Sequence, residues 1–391
     1  MTRDTALQRI DREDGQALVA AAHEAALAWP SETLAALQAR LTRTSESDEL
    51  RIELLSLIAS ITESRRRLEH GLSPTHGASL KDFGYSFARK ELEAVRDAAD
   101  AALQRTNSAN MAIALAESYV GLGDLAGAER IYAILRAENI EDLTSCTIFD
   151  KTFHISLSAA AEQGFAHFAS VRMVMERSES CERVVWVACD RRYFELYGDK
   201  LLGSFIVQRG QAKLALHIMD PGEDIAAITS RLRPYASHIH QVTAEESGQA
   251  GAAARAYYHA VRYVRFYEFL KTHAGTAWLW DVDTIVGKDI TPLFSAMKDN
   301  DVGFWILPGR RQPRSMIAAG YLGARVSPKV LDYFGRVAAY IAYFAQANRL
   351  AWGIDQVALY ACLAWTANKL RIVPLPEQVF GRPDAMLLVA K

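Results

Sequence analysis

The feature that most constrains this fold is a change of sequence pattern near the middle of the chain. Residues 1 to about 165 are rich in Ala, Leu, Glu and Arg at helical spacing, as in QALVAAAHEAALAW. From about residue 182, apolar strands alternate with helices, beginning with RVVWVACD at 183–190 and KLALHIMDP at 213–221. A helical period favours an all-α module, whereas alternating strands and helices favour a mostly parallel sheet. We therefore predict an all-α, helical-repeat-like domain over 1–165 and an α/β domain over 166–391.

One segment of the helical half is more specific than the rest. The stretch ALAESYVGLGDLAGAERIYAILRAEN at 114–139 resembles a single tetratricopeptide repeat, with a Gly-Leu-Gly-Asp turn between two helices. Gly121 and Ala128 lie where small residues allow close helix packing, and Tyr119 and Tyr132 supply larger packing groups. An ordinary αα-hairpin is the alternative. We expect this half to dock a protein partner or to support a homo-oligomer, because it carries no catalytic cluster.

Composition excludes several classes of protein. The chain has 391 residues, 50% of them hydrophobic and 23% charged, with a net charge of −2, so it lacks the basic footprint of a nucleic-acid-binding protein. The four cysteines are scattered without CxxC spacing, which fits a reducing compartment. The charged N-terminus has no apolar signal region, and the run VAAYIAYFAQA at 337–347 is too short to span a bilayer. We expect a cytoplasmic protein without a transmembrane segment.

Acidic residues stand where the predicted strands end. Asp190 and Asp220 end the first two strands, and Asp281 and Asp283 follow the apolar run AWLW, before TIV is expected to continue the strand. Residues i and i+2 of a strand point to one face, and a local turn would also let the two carboxylates converge. Two carboxylates about 5 Å apart repel by roughly 3 kcal/mol at an effective dielectric constant near 20. Bound Mn²⁺ or Mg²⁺ would offset that repulsion, whereas two solvated aspartates are the simpler alternative.

Four stretches of the second half, in order, resemble nucleotide-sugar glycosyltransferases of the GT-A fold. They are VACDRRYFELY, AVRYVRFYEFL, LWDVDTIVGKDITPLF and AWGIDQVALYACL. The sequence is most similar to the glycogenin and lipopolysaccharide galactosyltransferase group, over roughly residues 182–380 and none of the helical half. The resemblance implies a GT-A domain with a Rossmann-like mixed sheet and a donor in which a sugar is linked to a nucleoside diphosphate, UDP in particular.

The first stretch would hold the nucleoside of the donor. By the resemblance, Asp190 would accept a hydrogen bond from the base N–H, and Tyr193 would stack on the base or pack beside it. Ala188 and Cys189 belong to the same nucleotide-binding strand end. A helix cap and a core tyrosine are the purely structural interpretation of these residues.

The second and third stretches would hold the diphosphate and the metal. Arg262, with Arg265 three residues later on the same helix, would contact the donor sugar or diphosphate, since a guanidinium suits bidentate phosphate binding. Asp281 would point toward the ribose and the metal, and Asp283 would bind Mn²⁺ or Mg²⁺ directly. A solvated helix face is the alternative for the two arginines.

The fourth stretch would lie under the transferred sugar. The resemblance gives Asp355 and Gln356 the catalytic positions, with Gln356 near the anomeric carbon and Asp355 orienting sugar hydroxyls. Trp352 and Gly353 would shape the pocket, and Gly320 in MIAAGYLGA would let substrate approach the backbone of a small-residue loop. The structural alternative for Asp355 is a favourable charge at a helix N-terminus.

The sequence departs from the pattern of this group at several positions. Ala318 stands where an asparagine is usual, and Val357 replaces the aspartate at the third position of the Asp-Gln-Asp run. The group takes its third metal ligand from a C-terminal histidine, and this chain has no histidine after His273. Arg382 and Lys391 are the cations of the tail that could hold the diphosphate instead.

The predicted activity is transfer of a sugar to a hydroxyl of a glycan, a lipid-linked sugar or a protein. Retention of anomeric configuration is implied by the resemblance, while an inverting route would need a general base such as Asp355. A catalytically inactive transferase-like domain in a scaffold or binding protein is the main alternative. A DxD phosphatase is a further one, although it should have threonine where this chain has Ile285.

Overall fold

A computed structural model describes residues 2–43, 46–70, 87–138, 140, 144–176, 181–306, 312–366, 369–375, 379 and 385–390. The chain divides into two compact units. The helical unit comprises Met1–Asp150 with Leu307–Met316, and the sheet unit comprises Lys151–Ile306 with Ile317–Lys391. The sequence analysis put this division at 165/166, whereas the helix Lys151–Gln163 lies in the sheet unit. None of the helices in the described ranges has both the length and the apolar character that crossing a membrane requires.

The helical unit is built from consecutive amphipathic helices. They are α1 Arg3–Arg12, α2 Gly15–Ala28, α3 Pro30–Arg43, α4 Asp48–Glu69, α5 Arg89–Thr106, α6 Ala109–Leu122 and α7 Leu125–Ala137. The hairpin of α6 and α7 is tight because Gly123 adopts a left-handed φ of 77°, and Asp124 caps α7 by accepting the N–H of Gly127 at 2.8 Å. Its resemblance to a tetratricopeptide repeat stays a prediction.

The helices of the sheet unit begin with α8, Lys151–Gln163. Within the described part of this unit they continue with α9 Arg191–Gln208, α10 Ile225–Leu232, α11 Gly251–Thr272, α12 Thr291–Ala296, α14 Pro328–Gln346 and α15 Ile354–Thr366. The short α13, Pro313–Met316, belongs to the helical unit. Pro328 suits the first turn of α14, since its missing N–H would have no partner there.

Eight strands of the described chain form one mixed sheet in the order β1-β4-β3-β2-β5-β8-β7-β9. They are β1 Arg172–Met175, β2 Arg183–Asp190, β3 Lys213–Met219, β4 Ile239–Glu245, β5 Thr276–Trp280, β7 Val302–Ile306, β8 Ile317–Arg325 and β9 Ile372–Pro374. Strands β4, β3, β2 and β5 are parallel, and β8 runs antiparallel to β5 and β7. The predicted fold class, a mixed α/β sheet preceded by helices, is confirmed.

The centre of the sheet explains one prediction that was wrong. The segment MIAAGYLGA was expected to be a loop, but its residues from Ile317 onward form the interior strand β8. The indole of Trp278 on β5 needs space from the adjacent strand β8 and from β7 beyond it: a Cβ at Gly323 would lie 2.8 Å from that ring, and one at Gly303 would lie 2.9 Å from it. Small residues here therefore admit a large core side chain, and β8 packs as a strand.

Candidate functional site

One edge of the sheet gathers the acidic strand ends. Strand β2 is parallel to both β3 and β5, so Asp190, Asp220 and Asp281 emerge at the same carboxyl edge. A cavity of about 390 Å³ opens there, and its wall includes Asp190, Asp281 and Asp283. This is the edge at which open α/β sheets bind ligands.

Asp190 lines the cavity at the end of β2. Its carboxylate caps α9 by accepting the N–H of Tyr193 at 2.8 Å, which is the capping role that the sequence left open. Ala188, Cys189, Asp190 and Tyr193, the four residues predicted to hold a nucleoside, all line the cavity. Tyr193 keeps 48% of its surface exposed, so the phenol ring can accept a flat ligand. Burial raises the pKa of the Cys189 thiol, which argues against a nucleophilic role.

Asp281 and Asp283 lie in a turn, not in a continuous strand. Strand β5 ends at Trp280, and Thr284–Val286 forms a separate strand, β6, which pairs with β10, Leu387–Val389. The Thr284 hydroxyl donates to the Asp281 carbonyl at 2.6 Å and so closes the turn. The expectation that TIV continues the strand is wrong, and the turn is what presents both carboxylates to the cavity.

Arg262 joins two carboxylates beside the cavity. Its side chain is only 6% exposed and forms ion pairs with Asp281 and with Asp355, the latter at 3.2 Å. Burial raises the pKa of Asp355, and Arg262 opposes that rise. Asp355, itself 2% exposed, also accepts the N–H of Gln356 at 2.9 Å.

This arrangement corrects the predicted role of the Asp-Gln pair. The described wall of the cavity does not include Asp355 or Gln356. Asp355 pairs with Arg262 in the first turn of α15, so its carboxylate is not in the described wall, where the predicted contact with a sugar hydroxyl would be made. The sequence indicates that this aspartate begins a helix, but it does not indicate that a buried arginine forms an ion pair with it.

Gly320 lies directly behind Asp281. The Asp281 N–H donates to the Gly320 carbonyl at 3.1 Å, and a Cβ at Gly320 would lie 2.8 Å from Cγ of Asp281 and nearer still to Oδ2. Glycine is needed because the carboxylate, not a substrate, occupies the space over this backbone. The predicted contact of Gly320 with the donor is therefore replaced by a contact with Asp281.

Arg265 does not reach the cavity, so its predicted contact with the donor is wrong. The side chain is buried, and Nε donates to Glu245 at 2.6 Å while Nη1 donates to Glu268 at 2.7 Å. Nη2 donates to the carbonyl of Ala169 at 2.6 Å. On a helix, residues three apart differ by about 60° in direction, so Arg262 faces the cavity while Arg265 faces β4.

The sequence analysis missed most of the helix face that lines the cavity. That face of α11 comprises Gly251, Ala254, Arg255, Tyr258, His259 and Arg262. The spacing of three and four residues identifies one side of a helix, so counting back from Arg262 would have found these positions. The Tyr258 hydroxyl donates to Asp220 at 2.6 Å, which ties this helix to the end of β3.

His259 and Trp352 form the corner of the cavity near Arg262. Their rings meet edge to face, with centroids 3.8 Å apart. Burial, followed by the nearby Arg262, lowers the pKa of His259 to about 4, so the imidazole is neutral at pH 7. Trp352 was expected to shape the pocket, and it does line the cavity.

The acidic turn suits a hard divalent cation in its chemistry. The pKa of Asp283 is raised by burial and by the charge of Asp281, and no cation in the described ranges forms an ion pair with the Asp283 carboxylate. No group of three or more His, Cys, Asp or Glu side chains among those residues could by itself hold a metal ion. Two carboxylates are therefore the available protein ligands. Arg382 and Lys391 lie outside the described residues.

Comparisons with known proteins give partial structural likenesses. No protein-family model matches the chain, and no curated protein matches its sequence. Part of the chain superposes on the apo form of glycosyltransferase GlyE of Streptococcus pneumoniae, with a TM-score of 0.37 and 16% identity over 54% of this chain and 55% of GlyE. For the bifunctional glycosyltransferase WbbM the TM-score is 0.34 and the identity 15%, over 52% of this chain and 40% of WbbM. For the galactosyltransferase LgtC the TM-score is 0.34 and the identity 13%, over 53% of this chain and 86% of LgtC. The chain thus spans about half of GlyE and less of WbbM.

Proposed function

We propose that this chain is a metal-dependent glycosyltransferase that uses a sugar linked to a nucleoside diphosphate, UDP in particular. The observation that carries the proposal is one cavity with two kinds of residue in its wall. Asp190 and Tyr193 are the residues predicted to hold the nucleoside, and Asp281 and Asp283 form the acidic turn. The acceptor would be a hydroxyl of a glycan, a lipid-linked sugar or a protein, as the sequence resemblance implies.

The strand end can bind a base although Asp190 already caps a helix. A carboxylate offers about four lone-pair sites on two oxygens, and the bond to the Tyr193 N–H uses one of them. Asp190 can therefore still accept a base N–H, and the exposed ring of Tyr193 offers a stacking surface beside it. A uracil-type edge, with one N–H between two carbonyls, fits a carboxylate acceptor.

Asp281 and Asp283 would hold Mn²⁺ or Mg²⁺, with diphosphate oxygens and water as the remaining ligands. The raised pKa of Asp283 is in line with this assignment, because burial and the charge of Asp281 outweigh the compensation from Arg262 and a backbone N–H. When bound, the cation would neutralise charge on the departing diphosphate. Arg262 would hold the Asp281 carboxylate in place through their ion pair.

The transfer forms a bond between the anomeric carbon and the acceptor oxygen as the bond to the diphosphate oxygen breaks. The electron pair leaves with the nucleoside diphosphate, and the hydroxyl proton passes to the departing phosphate oxygen. Asp355 is buried and paired with Arg262, which makes it a poor candidate for a general base. We therefore favour retention of configuration over inversion.

A thermal-shift panel tests the proposal. The wild-type protein is mixed with UDP, GDP, ADP and the corresponding nucleotide sugars, each with and without Mn²⁺. A ligand at 100 times its dissociation constant stabilises the folded state by about 2.7 kcal/mol. We expect UDP and a UDP-sugar to raise the melting temperature in a manganese-dependent way. We expect Asp283→Ala to lose this effect while Asp299→Ala, at an exposed aspartate outside the described cavity wall, keeps it.

The scaffold alternative keeps one observation in its favour, the small set of metal ligands in the described residues. A nucleotide-sugar hydrolysis assay separates the two functions. Manganese-dependent release of UDP by the wild type, lost in Asp283→Ala, supports the enzyme. A protein that binds UDP but releases none with any donor supports an inactive transferase domain. The cavity does not support the phosphatase alternative. A DxD phosphatase would also need a lysine near its aspartates, and the described wall of the cavity contains none.

A further inference from the structure

A half-exposed tryptophan in the cavity wall has no role in the donor site described above. Trp352 precedes α15 and keeps 56% of its surface exposed while lining the cavity. Its indole is held by the edge-to-face contact with His259, at an interplanar angle of 67°. An exposed aromatic ring that is fixed in orientation and faces a cavity is a stacking surface for a ligand.

The backbone next to Trp352 is also fixed. Gly353 adopts a φ of 89°, which favours glycine, and its carbonyl accepts the N–H of Gln356 at 3.1 Å. The turn that presents the indole is thereby part of the first turn of α15, the helix that carries Asp355. A shift of Trp352 would disturb this turn, so its position is built into the fold.

Arg255 adds a charge to this corner. Its guanidinium carbon lies 5.9 Å from the centre of the Trp352 ring, one helical turn from His259 on α11. The side chain is exposed, and no carboxylate in the described ranges forms an ion pair with it. A guanidinium that faces a cavity without an anionic partner is suited to a carboxylate or phosphate of a ligand.

The corner adjoins the acidic turn through helix α11, since the charges of Arg262 and Asp281 both act on His259. His259 is three residues from Arg262 on one face of α11, and Arg262 contacts both Asp281 and Asp355. Tyr258, the neighbour of His259 in the chain, contacts Asp220, and the charge of Asp190 acts on its phenol. Trp352 and Arg255 thus line the same cavity as the acidic turn without belonging to the donor residues Asp190, Tyr193, Asp281 and Asp283, which leaves this corner for the acceptor.

We propose that Trp352 and Arg255 form the acceptor subsite, for a sugar ring that stacks on the indole and carries a carboxylate or phosphate paired with Arg255. The assignment rests on the proposed function. The C–H groups on one face of a pyranose carry partial positive charge and match the negative face of the indole. The guanidinium then selects acidic sugars over neutral ones.

The test measures binding of three probes to the manganese- and UDP-loaded protein by NMR titration. The probes are methyl β-glucoside, methyl β-glucuronide and glucose 6-phosphate. We expect at least one acidic probe to bind about tenfold more tightly than the glucoside, as one charge-assisted hydrogen bond would give. The glucuronide and the phosphate ester distinguish a carboxylate acceptor from a phosphorylated one.

Variants identify the residues responsible. Arg255→Gln should remove the preference for the acidic probe, and Arg255→Lys should keep part of it. Trp352→Ala should weaken all bound probes about tenfold, while Trp352→Phe should restore most of that loss, as expected for stacking on an aromatic ring. Arg191→Gln, at an exposed arginine outside the described cavity wall, is the matched cation control and should keep the preference.

Two results would overturn the assignment. One is equal binding of acidic and neutral probes by the wild type. The other is a loss of UDP affinity in Arg255→Gln as large as its loss of acidic-probe affinity, which would assign Arg255 to the donor diphosphate. A wild-type protein that binds no nucleotide in the thermal-shift panel instead refutes the proposed function, so the two failures are distinguishable.

Discussion

Replacing Gly320 by alanine should displace the Asp281 carboxylate without unfolding the protein. A Cβ at this position would lie 2.8 Å from Cγ of Asp281, which is 0.6 Å short of the 3.4 Å at which ordinary contact begins. The Oδ2 oxygen is nearer still and must move further. The backbone cannot yield easily, because the Asp281 N–H donates to the Gly320 carbonyl at 3.1 Å across the β5–β8 pair. The side chain must therefore rotate away from its ion pair with Arg262.

The expected effects differ in size for stability and for activity. Overpacking of this kind costs about 1–3 kcal/mol, which lowers the melting temperature of a domain this large by several degrees. A displacement of about 1 Å in a catalytic group can cost about 100-fold in rate. We therefore expect kcat/KM for UDP release from the donor to fall about 100-fold, equal to about 2.7 kcal/mol of transition-state stabilisation.

The assay compares UDP release and thermal melting for Gly320→Ala and a matched variant. Gly203→Ala lies on α9, where an added Cβ would meet no atom within 4 Å, so this control should keep wild-type turnover. The reasoning would be refuted by turnover in Gly320→Ala within threefold of the wild type. It would equally be refuted by a similar loss in Gly203→Ala.

Three other perturbations follow from the same geometry. Because burial and Asp281 raise the pKa of Asp283, its charge destabilises the ligand-free fold, and Asp283→Asn should raise the melting temperature at pH 7 while abolishing manganese-dependent UDP binding. Replacing Arg265 by leucine should lower the free energy of unfolding, measured with denaturant, by about 3–5 kcal/mol, because the buried Glu245 loses its arginine partner. The protein that still folds should bind UDP. The folded pKa of His259 is about 4 against an ordinary 6.5, so the unfolded chain binds the extra proton and stability falls as the pH drops through that window. The difference in unfolding free energy between pH 7 and pH 4.5 should therefore be smaller in His259→Gln by about 2–3 kcal/mol.

Each of these predictions has a contrary result. An unchanged or lower melting temperature for ligand-free Asp283→Asn would mean that its carboxylate is compensated in solution. Loss of UDP binding by folded Arg265→Leu protein would return that arginine to the donor site. Parallel pH profiles of the wild type and His259→Gln would mean that the imidazole titrates normally.

Strands with strong local patterns were predictable from the sequence. Arg183–Asp190 is an unbroken β-branched and apolar run, and it forms β2 over the same residues. Strand β8 was not predictable, because Ile317–Arg325 is rich in alanine and glycine. It is a strand because its small residues make room for Trp278 of β5, about 40 residues away in the chain, and no local pattern encodes that fit.

The site shows the same division between local and distant causes. Asp190 and Asp281 follow apolar runs, so their common edge could be derived from a parallel sheet. Arg262 lines the cavity and Arg265 does not, because their carboxylate partners differ. Those partners, Asp355 and Glu245, come from other elements. Helical spacing predicts that the two arginines are neighbours, but only the positions of those carboxylates decide which guanidinium is near the cavity.

The charges around the acidic turn bear on the departures from the resembled group. Asp281, Asp283 and Asp355 together with Arg262 carry a net charge of −2, which one divalent cation would cancel. Val357 is buried in the first turns of α15, and an aspartate there would add another buried charge without a further cation to pair with it.

The charge of the donor diphosphate must then be met by groups outside this cluster. Arg262 is already shared by two carboxylates, and the acceptor assignment uses Arg255. Arg192 is the remaining arginine of the described cavity wall, and it is exposed beside Asp190. The residues after His273 can therefore serve donor binding without a histidine if guanidinium groups, instead of a third protein ligand on the metal, supply positive charge.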